Sequence, residues 1–463
     1  MTDDKRVEKD VLGEVEVPAD AYWGISTQRA IENFKISGER MPENFILALA
    51  QVKKACILAN MEGGNISQRV GQAILEASNE MLEDHKMLDQ FPIDIYQTGS
   101  GTQTNMCMNE VLANRANQIL GHPMGMKEPV HPNDHVNMGQ SSNDVIPTAM
   151  HVAALQELKE HLFPAIEKAI EVLDTKIAGF EGIVKVGRTH LQDAVPIPLS
   201  LEFKVYREQL SATRLALDAA RDELYTIPIG GTALGTGLNA PDGFAEQVSE
   251  ILSKITGFPF VVGDVKAEGI ASHRRFVRLS SGLKQLALSL MKMSNDIRWL
   301  GSGPRAGLGE LNLPKNEPGS SIMPGKINPT QSEALIQVCL RVLGNDQVVT
   351  MGEGYGSVLD LNVAKPLIIV TVLDSLNILT GGILSFTKNC LIGLEADLAL
   401  IERQLERSLM TVTRLSPIVG YDTASKIAKH AQDNGLTIRE AIEELDIEID
   451  GNLDQILDPA EMV

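Results

Sequence analysis

Apolar residues in the middle of the chain recur at steps of three and four. Leu155, Leu158, Leu162, Ile166, Ile170, Leu173 and Ile177 form one helical stripe, which Pro164 is expected to kink. Leu279, Leu283, Leu286, Leu290, Met293, Ile297 and Leu300 alternate steps of four and three, as in a bundle seam. Further helices are predicted over 44–60, 64–90, 110–120, 198–225 and 330–349. The run from Pro366 to Phe386 is apolar enough for a membrane span, but it carries Asp374 and Asn377. A carboxylate at mid-span costs about 2.5–3.5 kcal/mol, so the run is read as a helix buried on all sides in a bundle. Pro366 suits its first turn.

The flanking regions are patterned differently. Residues 1–40 mix short apolar and charged groups with Gly13, Pro18 and Gly24, which predicts an extended arm or small strands. Asp94 to Asn109 begins like a strand and continues as a glycine-bearing polar turn, and 121–147 reads as mostly irregular. After residue 397 the apolar stretches shorten, and Gly420 and Gly435 break them into a small helical domain. Several long helices in mid-chain predict a mainly α protein built on a bundle.

Composition narrows the functional classes. A chain of 463 residues exceeds one ordinary core, so two or three domains are expected. The aromatic share of 4% favours helices over sandwiches. A formal charge of −20 argues against nucleic acid and anionic membranes as partners. An anionic substrate would therefore have to be drawn by a few local cations and N–H groups. Cys56, Cys107, Cys339 and Cys390 show no paired or metal-ligand spacing, and the histidines form no HExxH pattern. The cysteines read as reduced thiols of a cytoplasmic protein, and the charged start at Met1-Thr2-Asp3-Asp4 does not read as a signal peptide.

Four stretches combine hydroxyls, amides and glycines beside apolar residues. They are Thr98-Gly99-Ser100-Gly101-Thr102-Gln103-Thr104-Asn105, then His131 to Asn137 with Gln140 to Asp144, then Gly187-Arg188-Thr189-His190-Leu191-Gln192-Asp193, and finally Gly319 to Pro329. Any one of them could simply cap a helix or link two helices. Together, at the expected ends of long helices, they suggest a shared site. The last stretch, GSSIMPGKINP, holds too much Gly and Pro for a helix or strand and too much Ile and Met for a bland loop, so it reads as a lid or a connector. Neither a Walker loop nor a dinucleotide fingerprint is present. Hydroxyls, amides and one lysine suit small carboxylates, a histidine can carry a proton near neutral pH, and a loop serine can be ionised if backbone N–H groups hold its oxyanion. That inventory fits proton removal beside a carboxylate followed by loss of a leaving group.

The loop GSSIMPGKINP resembles the signature of the fumarase/aspartase superfamily, and the resemblance covers nearly the whole chain. GEVEVPADAYWG, TGSGTQTNM, HPNDHVN, SSND, GRTHLQD, GGTALGTGLN and Val419-Gly420-Tyr421-Asp422 all fall in family order. The resemblance implies a three-domain fold with a central bundle of long helices, divided at 1–138, 139–396 and 397–463. It also implies a homotetramer with active sites shared by three subunits, a small dicarboxylate substrate and no cofactor or metal.

Carried over by position, the resemblance makes Ser320 the base and His190, oriented by Glu333, the group that handles the proton of water. Ser100, Gly101, Thr102, Ser141, Ser142, Asn143, Thr189, Ser321, Lys326, Ile327 and Asn328 match substrate-binding positions. His131, Pro132, Asn133 and Asp134 match a second dicarboxylate site. The chain departs from many members at Met138-Gly139, where Lys-Ser is common, and at Lys127-Glu128 before HPND. TGSGTQ and Thr330-Gln331-Ser332-Glu333-Ala334 lean toward the fumarase branch, whereas GRTHLQDAVP and DAYWGISTQRAIENF lean toward the aspartase branch, which eliminates ammonia. A superfamily member recruited as a structural protein is a third reading, though such a scaffold need not keep the histidine, serine, lysine and asparagine together.

Overall fold

A computed structural model describes residues 4–463. The protein is mainly α, at 61% helix and 8% strand. It divides into two compact units, one comprising the described part of Met1–Phe163 with Leu215–Lys284 and Arg341–Ile378, the other comprising Pro164–Arg214, Gln285–Leu340 and Leu379–Val463.

The first unit opens with an antiparallel hairpin, β1 (Lys5–Asp10) and β2 (Gly13–Pro18), as the mixed pattern predicts. The helix α1 (Ile25–Asn33) follows, which the pattern did not signal. Helices α2 (Glu43–Glu62) and α3 (Gln68–Glu83) come next, and Ser67 caps α3 by accepting from the Val70 N–H. Phe45, Leu49, Val52, Cys56 and Ile57 of α2 are fully buried. Each such side chain contributes about 1.5–3 kcal/mol when removed from water.

Helix α4 (Thr102–Ile119) begins eight residues earlier than the pattern suggests, by subtraction from the expected start at 110. The run Thr102 to Asn109 is therefore its first two turns rather than a loop. The strand-like start before it is only an isolated bridge, Arg40 to Asp94. Helix α5 (Ser142–Glu157) passes through a π-helical stretch, Leu158–Leu162, into α6 (Phe163–Gly179). The irregularity thus falls just before Pro164.

The second unit contains the hairpin β3 (Val184–Thr189) and β4 (Gln192–Pro198), which the sequence pattern did not show. Helix α7 (Leu199–Glu223) follows, then α8 (Phe244–Thr256) and α9 (Lys266–Ala271) in the first unit. Three more long helices follow, α10 (Arg274–Leu300), α11 (Thr330–Gly356) and α12 (Lys365–Phe386). The predicted seam of α10, from Leu279 to Ile297, is at most 1% exposed. The boundary between the units falls within α7, α10, α11 and α12.

The expectation that α12 is buried on all sides needs correction. Its most apolar stretch is 50% buried, and Leu384 is 46% exposed. This helix is long and apolar enough to cross a membrane by length and composition, yet Ile368, Ile369, Val372, Leu376 and Leu379 are packed inside the protein. Asp374 is held by Asn345 at 2.8 Å and Arg341 at 3.2 Å, both on α11, which explains a carboxylate in an apolar helix. The C-terminal region begins with α13 (Leu398–Glu406) and contains helices Tyr421–Asn434 and Ile438–Glu444 around a small core of Leu415, Ile427, Ala431, Ile438, Ala441 and Ile442.

Candidate active site

The first unit assembles a cluster of hydroxyls at two helix N-termini. Gly101 caps α4 in the left-handed region, with φ of 73°, a conformation glycine adopts at little cost. Gln97 accepts from the backbone and hydroxyl of Thr104, at 3.0 and 2.8 Å, and so closes the turn onto the helix. Gly99 is required by space: a Cβ there would stand 1.6 Å from the Val363 carbonyl oxygen. Its own carbonyl accepts from the Lys365 N–H at the start of α12.

The Ser100 and Thr102 hydroxyls lie 2.7 Å apart, and those of Thr102 and Ser142 lie 2.9 Å apart, giving one continuous relay. Ser141 and Asp144 form a capping box at α5, and Asn143 donates to the Ala233 carbonyl at 2.8 Å. The N-termini of two long helices thus face the hydroxyls, an arrangement that favours anions. The structure thus brings together Ser100, Thr102 and Ser142 of two of the four polar stretches.

Beneath the cluster lie two buried ionisable groups, Asp144 of the stretch Gln140 to Asp144 and Lys53, which sequence reasoning missed. Burial pulls the Lys53 ammonium down to about 7, and its Nζ donates to Asn137 at 2.9 Å and Gln140 at 2.8 Å. Burial also pushes the Asp144 carboxyl up to about 7, against hydrogen bonds from Ser141 and Thr232. The available signal was a lysine inside the apolar stripe of α2, between Leu49 and Ile57.

His131 precedes a π-helical turn, Pro132–Val136. Its Nδ1 accepts from the N–H groups of Asn133 and Asp134, each at 3.2 Å, while its own N–H donates to His135. Pro132 is buried, and Asn133 and Asp134 are exposed.

The second unit holds the remaining candidates in two exposed pieces. His190 and Leu191 form the two-residue tip of the β3–β4 hairpin, with φ of 57° and 59°. Left-handed backbone costs non-glycine residues about 1–2 kcal/mol each, so this tip holds strain. Thr189 and His190 are both exposed.

In the loop 319–329, the Ser320 hydroxyl oxygen accepts from the Met323 N–H at 3.0 Å and the Ile322 N–H at 3.2 Å. Asn328 donates to the Gly319 carbonyl at 2.7 Å, and the Gly319 N–H donates to the Lys326 carbonyl at 2.7 Å. A Cβ on Gly319 would meet that carbonyl oxygen at 2.6 Å, so the closure needs glycine. One donor of Asn328 therefore closes the loop. Ser321, Lys326, Ile327 and Glu333 are exposed. Among the described residues, no hydrogen bond or ion pair joins His190 to Glu333 within the chain, and no group of three or more His, Cys, Asp or Glu side chains is placed to share a metal ion.

Comparison with known proteins gives the class of this largely helical chain, which is a lyase. A family model described as a lyase matches residues 13–344, and one for the fumarase C C-terminus matches 412–463. The chain is 51% identical over 445 residues to the class II fumarate hydratase of Thermosynechococcus vestitus, covering 96% of this chain and 95% of that protein. It is 49% identical over 461 residues to the class II fumarate hydratase of Myxococcus xanthus, covering 100% and 98%. Its structure is similar to the class II fumarase of Schistosoma mansoni, with a TM-score of 0.95, 38% identity and 99% of each chain covered. The chain belongs to the class II fumarate hydratase family. The fumarase branch expected from TGSGTQ and the residues after the loop is the one these relatives represent.

Proposed function

We propose that this protein is a carbon–oxygen lyase that interconverts fumarate and (S)-malate. The observation that carries the reading is the Ser320 hydroxyl, whose oxygen already accepts two backbone N–H groups. Such donors stabilise an alkoxide, the form needed to remove a proton. In the dehydration direction Ser320 takes the C3 proton of malate, and the electron pair moves into the adjacent carboxylate to give an aci-carboxylate. Lys326 and the remaining Asn328 donor offset its added charge, with Ser321 and the Ile327 backbone beside them. Ser100, Gly101, Thr102, Ser141, Ser142, Asn143 and Thr189 bind the substrate carboxylates, supported by the two helix N-termini. His190 then protonates the departing hydroxyl, which leaves as water and gives fumarate. Hydration runs the same steps in reverse.

The reading includes a homotetramer with each site shared by three subunits, in which Glu333 of another subunit orients His190. Two facts support it. His190 and Glu333 are exposed and unlinked in a single chain, and α11 exposes Leu340, Met351 and Tyr355 at 57%, 52% and 82%. Exposed apolar rows of this kind mark association surfaces. The reading keeps the three-domain division at 138 and 396, a cytoplasmic location, and a second dicarboxylate site at His131, Pro132, Asn133 and Asp134.

The direct test is to incubate purified protein with fumarate and follow the ultraviolet absorbance of the unsaturated dicarboxylate. Absorbance should fall as malate forms, equally with and without EDTA. Ammonia released from aspartate, with fumarate unchanged, would move the protein to the aspartase branch. Neither activity would favour a structural role.

A further inference from the structure

We infer that Glu310 is a positioning residue for the hairpin that presents Thr189 and His190, an inference that rests on the function proposed above. Glu310 is 0% exposed, and its two oxygens face two cations of β3: Arg188 at 2.7 Å and Lys185 at 3.1 Å. Lys185, itself 1% exposed, also donates to Glu202 at 3.0 Å and to the Val186 carbonyl at 2.9 Å. Burial pushes the Glu202 carboxyl above its ordinary range against the pull of Lys185. Arg188 donates onward to Gln404 at 3.2 Å, and Gln404 donates to the Leu308 carbonyl at 2.7 Å.

The position of these cations matters more than their number. The β3–β4 ladder shifts register between Val186 and Arg188. Gly187 sits in that irregularity, where a Cβ would lie 2.4 Å from the Val195 carbonyl oxygen. A bulge bends its strand and re-aims the residues beyond it. Lys185 and Arg188 stand on either side of this bend, and one carboxylate holds both. Beyond it come Thr189 and the left-handed pair His190 and Leu191. Fixing both sides of the bulge fixes the direction in which the tip leaves the protein.

Fold stability alone gives little reason for this arrangement. Buried ion pairs are often no more stabilising than apolar residues of the same shape. A group that aims a proton carrier is different, because a misplacement of about 1 Å can lower a rate by about 10²-fold. Glu310 also precedes the Ser320 loop in the same connecting segment, so it could instead act on the loop. Subunit mixing separates these routes.

The experiment uses the full-length protein with Glu310→Gln, which keeps the shape and removes the charge. The expected result is a fall in kcat of about 10–100-fold with a smaller change in KM for malate. Mixed oligomers are then formed from pairs of variants. His190→Asn with Ser320→Ala is the control and should recover activity, because intact hairpins and intact loops meet in some shared sites. Glu310→Gln should recover activity with Ser320→Ala and not with His190→Asn. Recovery with His190→Asn, recovery with both, or recovery with neither while the control recovers would each overturn the assignment.

An unchanged kcat for Glu310→Gln would also overturn it. Should the control itself fail, the shared site is what falls. The assignment is then judged by kcat against KM alone: a fall confined to kcat supports it, and an equal or larger KM effect overturns it. If Glu310→Gln does not assemble, Glu310→Asp, which keeps the charge and shortens its reach, is scored by the same criteria.

Discussion

The hydroxyl cluster around Ser100 and the loop around Ser320 have similar compositions and are held in opposite ways. The cluster is finished within its own unit. Its hydroxyls bond one another, Asn143 is tied to Ala233, Gly99 fits against Val363 with no space for a methyl group, and Lys53 and Asp144 are locked beneath. The loop is braced mainly from inside, by Asn328 onto Gly319 and by the N–H groups on Ser320. Ile322 is 83% and Met323 48% exposed, although both residues favour burial. The hairpin tip is likewise exposed, with unfavourable backbone angles. One region is built within its own unit. The other presents its groups outward, and under the proposed reading association covers them.

The largest effect should come from the outward region. Ser320→Ala removes the proposed base and should lower kcat by about 10²–10⁴-fold, measured as fumarate formation from malate. A near-wild-type rate would remove Ser320 from the mechanism and leave the loop as a lid.

The next tests the rigidity of the built region. Burial opposes ionisation of Asp94, yet N–H groups from Tyr96, Gly38 and Ser37 outweigh it and hold its carboxyl down to about 2. Its stabilisation is therefore present above the unfolded value of about 3.9 and is lost as pH falls through about 2. Asp94→Asn should cost about 1.5–3 kcal/mol at neutral pH, with the two denaturation curves converging near pH 2. A constant difference across that range would show that the carboxylate charge is not what holds the turn.

Within the cluster, Thr102→Val breaks the relay from Ser100 to Ser142. Loss of its two neutral hydrogen bonds, to Ser100 and to Ser142, should lower kcat/KM by about tenfold, mainly through KM. A purely kcat effect would put Thr102 in the chemistry rather than in binding.

The smallest effect should be a gain in stability. Leu191→Gly relieves left-handed strain of about 1–2 kcal/mol and loses about 0.5–1 kcal/mol of chain entropy, for a net gain of at most about 1.5 kcal/mol in thermal unfolding. Activity should fall as the tip loosens. A stabler variant with full activity would show that the strain has no functional use.

Much of this could be read directly from residue order. The α10 seam was visible as a period, and the boundaries of α2, α7 and α12 were predicted to within a few residues. The four polar stretches were visible because Gly, Ser, Thr and Asn together are incompatible with an apolar face. The β3–β4 hairpin was not visible, because His190 and Leu191 carry none of the Asn-Gly chemistry that usually marks a two-residue turn. The early start of α4 was also hidden: Thr102 to Asn105 are polar by residue type, yet Thr104 and Asn105 are buried by their neighbours.

The sequence by itself determined the helical frame and the family and named the residues proposed to carry the chemistry, because periodicity and motif spacing are local properties of the chain. Tertiary structure decided what surrounds them. It brought Thr102 against Ser142 from helices forty residues apart, put Lys53 under the cluster, and set Glu310 between Lys185 and Arg188. It also aimed two N–H groups at the Ser320 oxygen. Such contacts depend on where distant segments meet, and charge state and hydrogen bonding follow from burial, which no single stretch of sequence encodes.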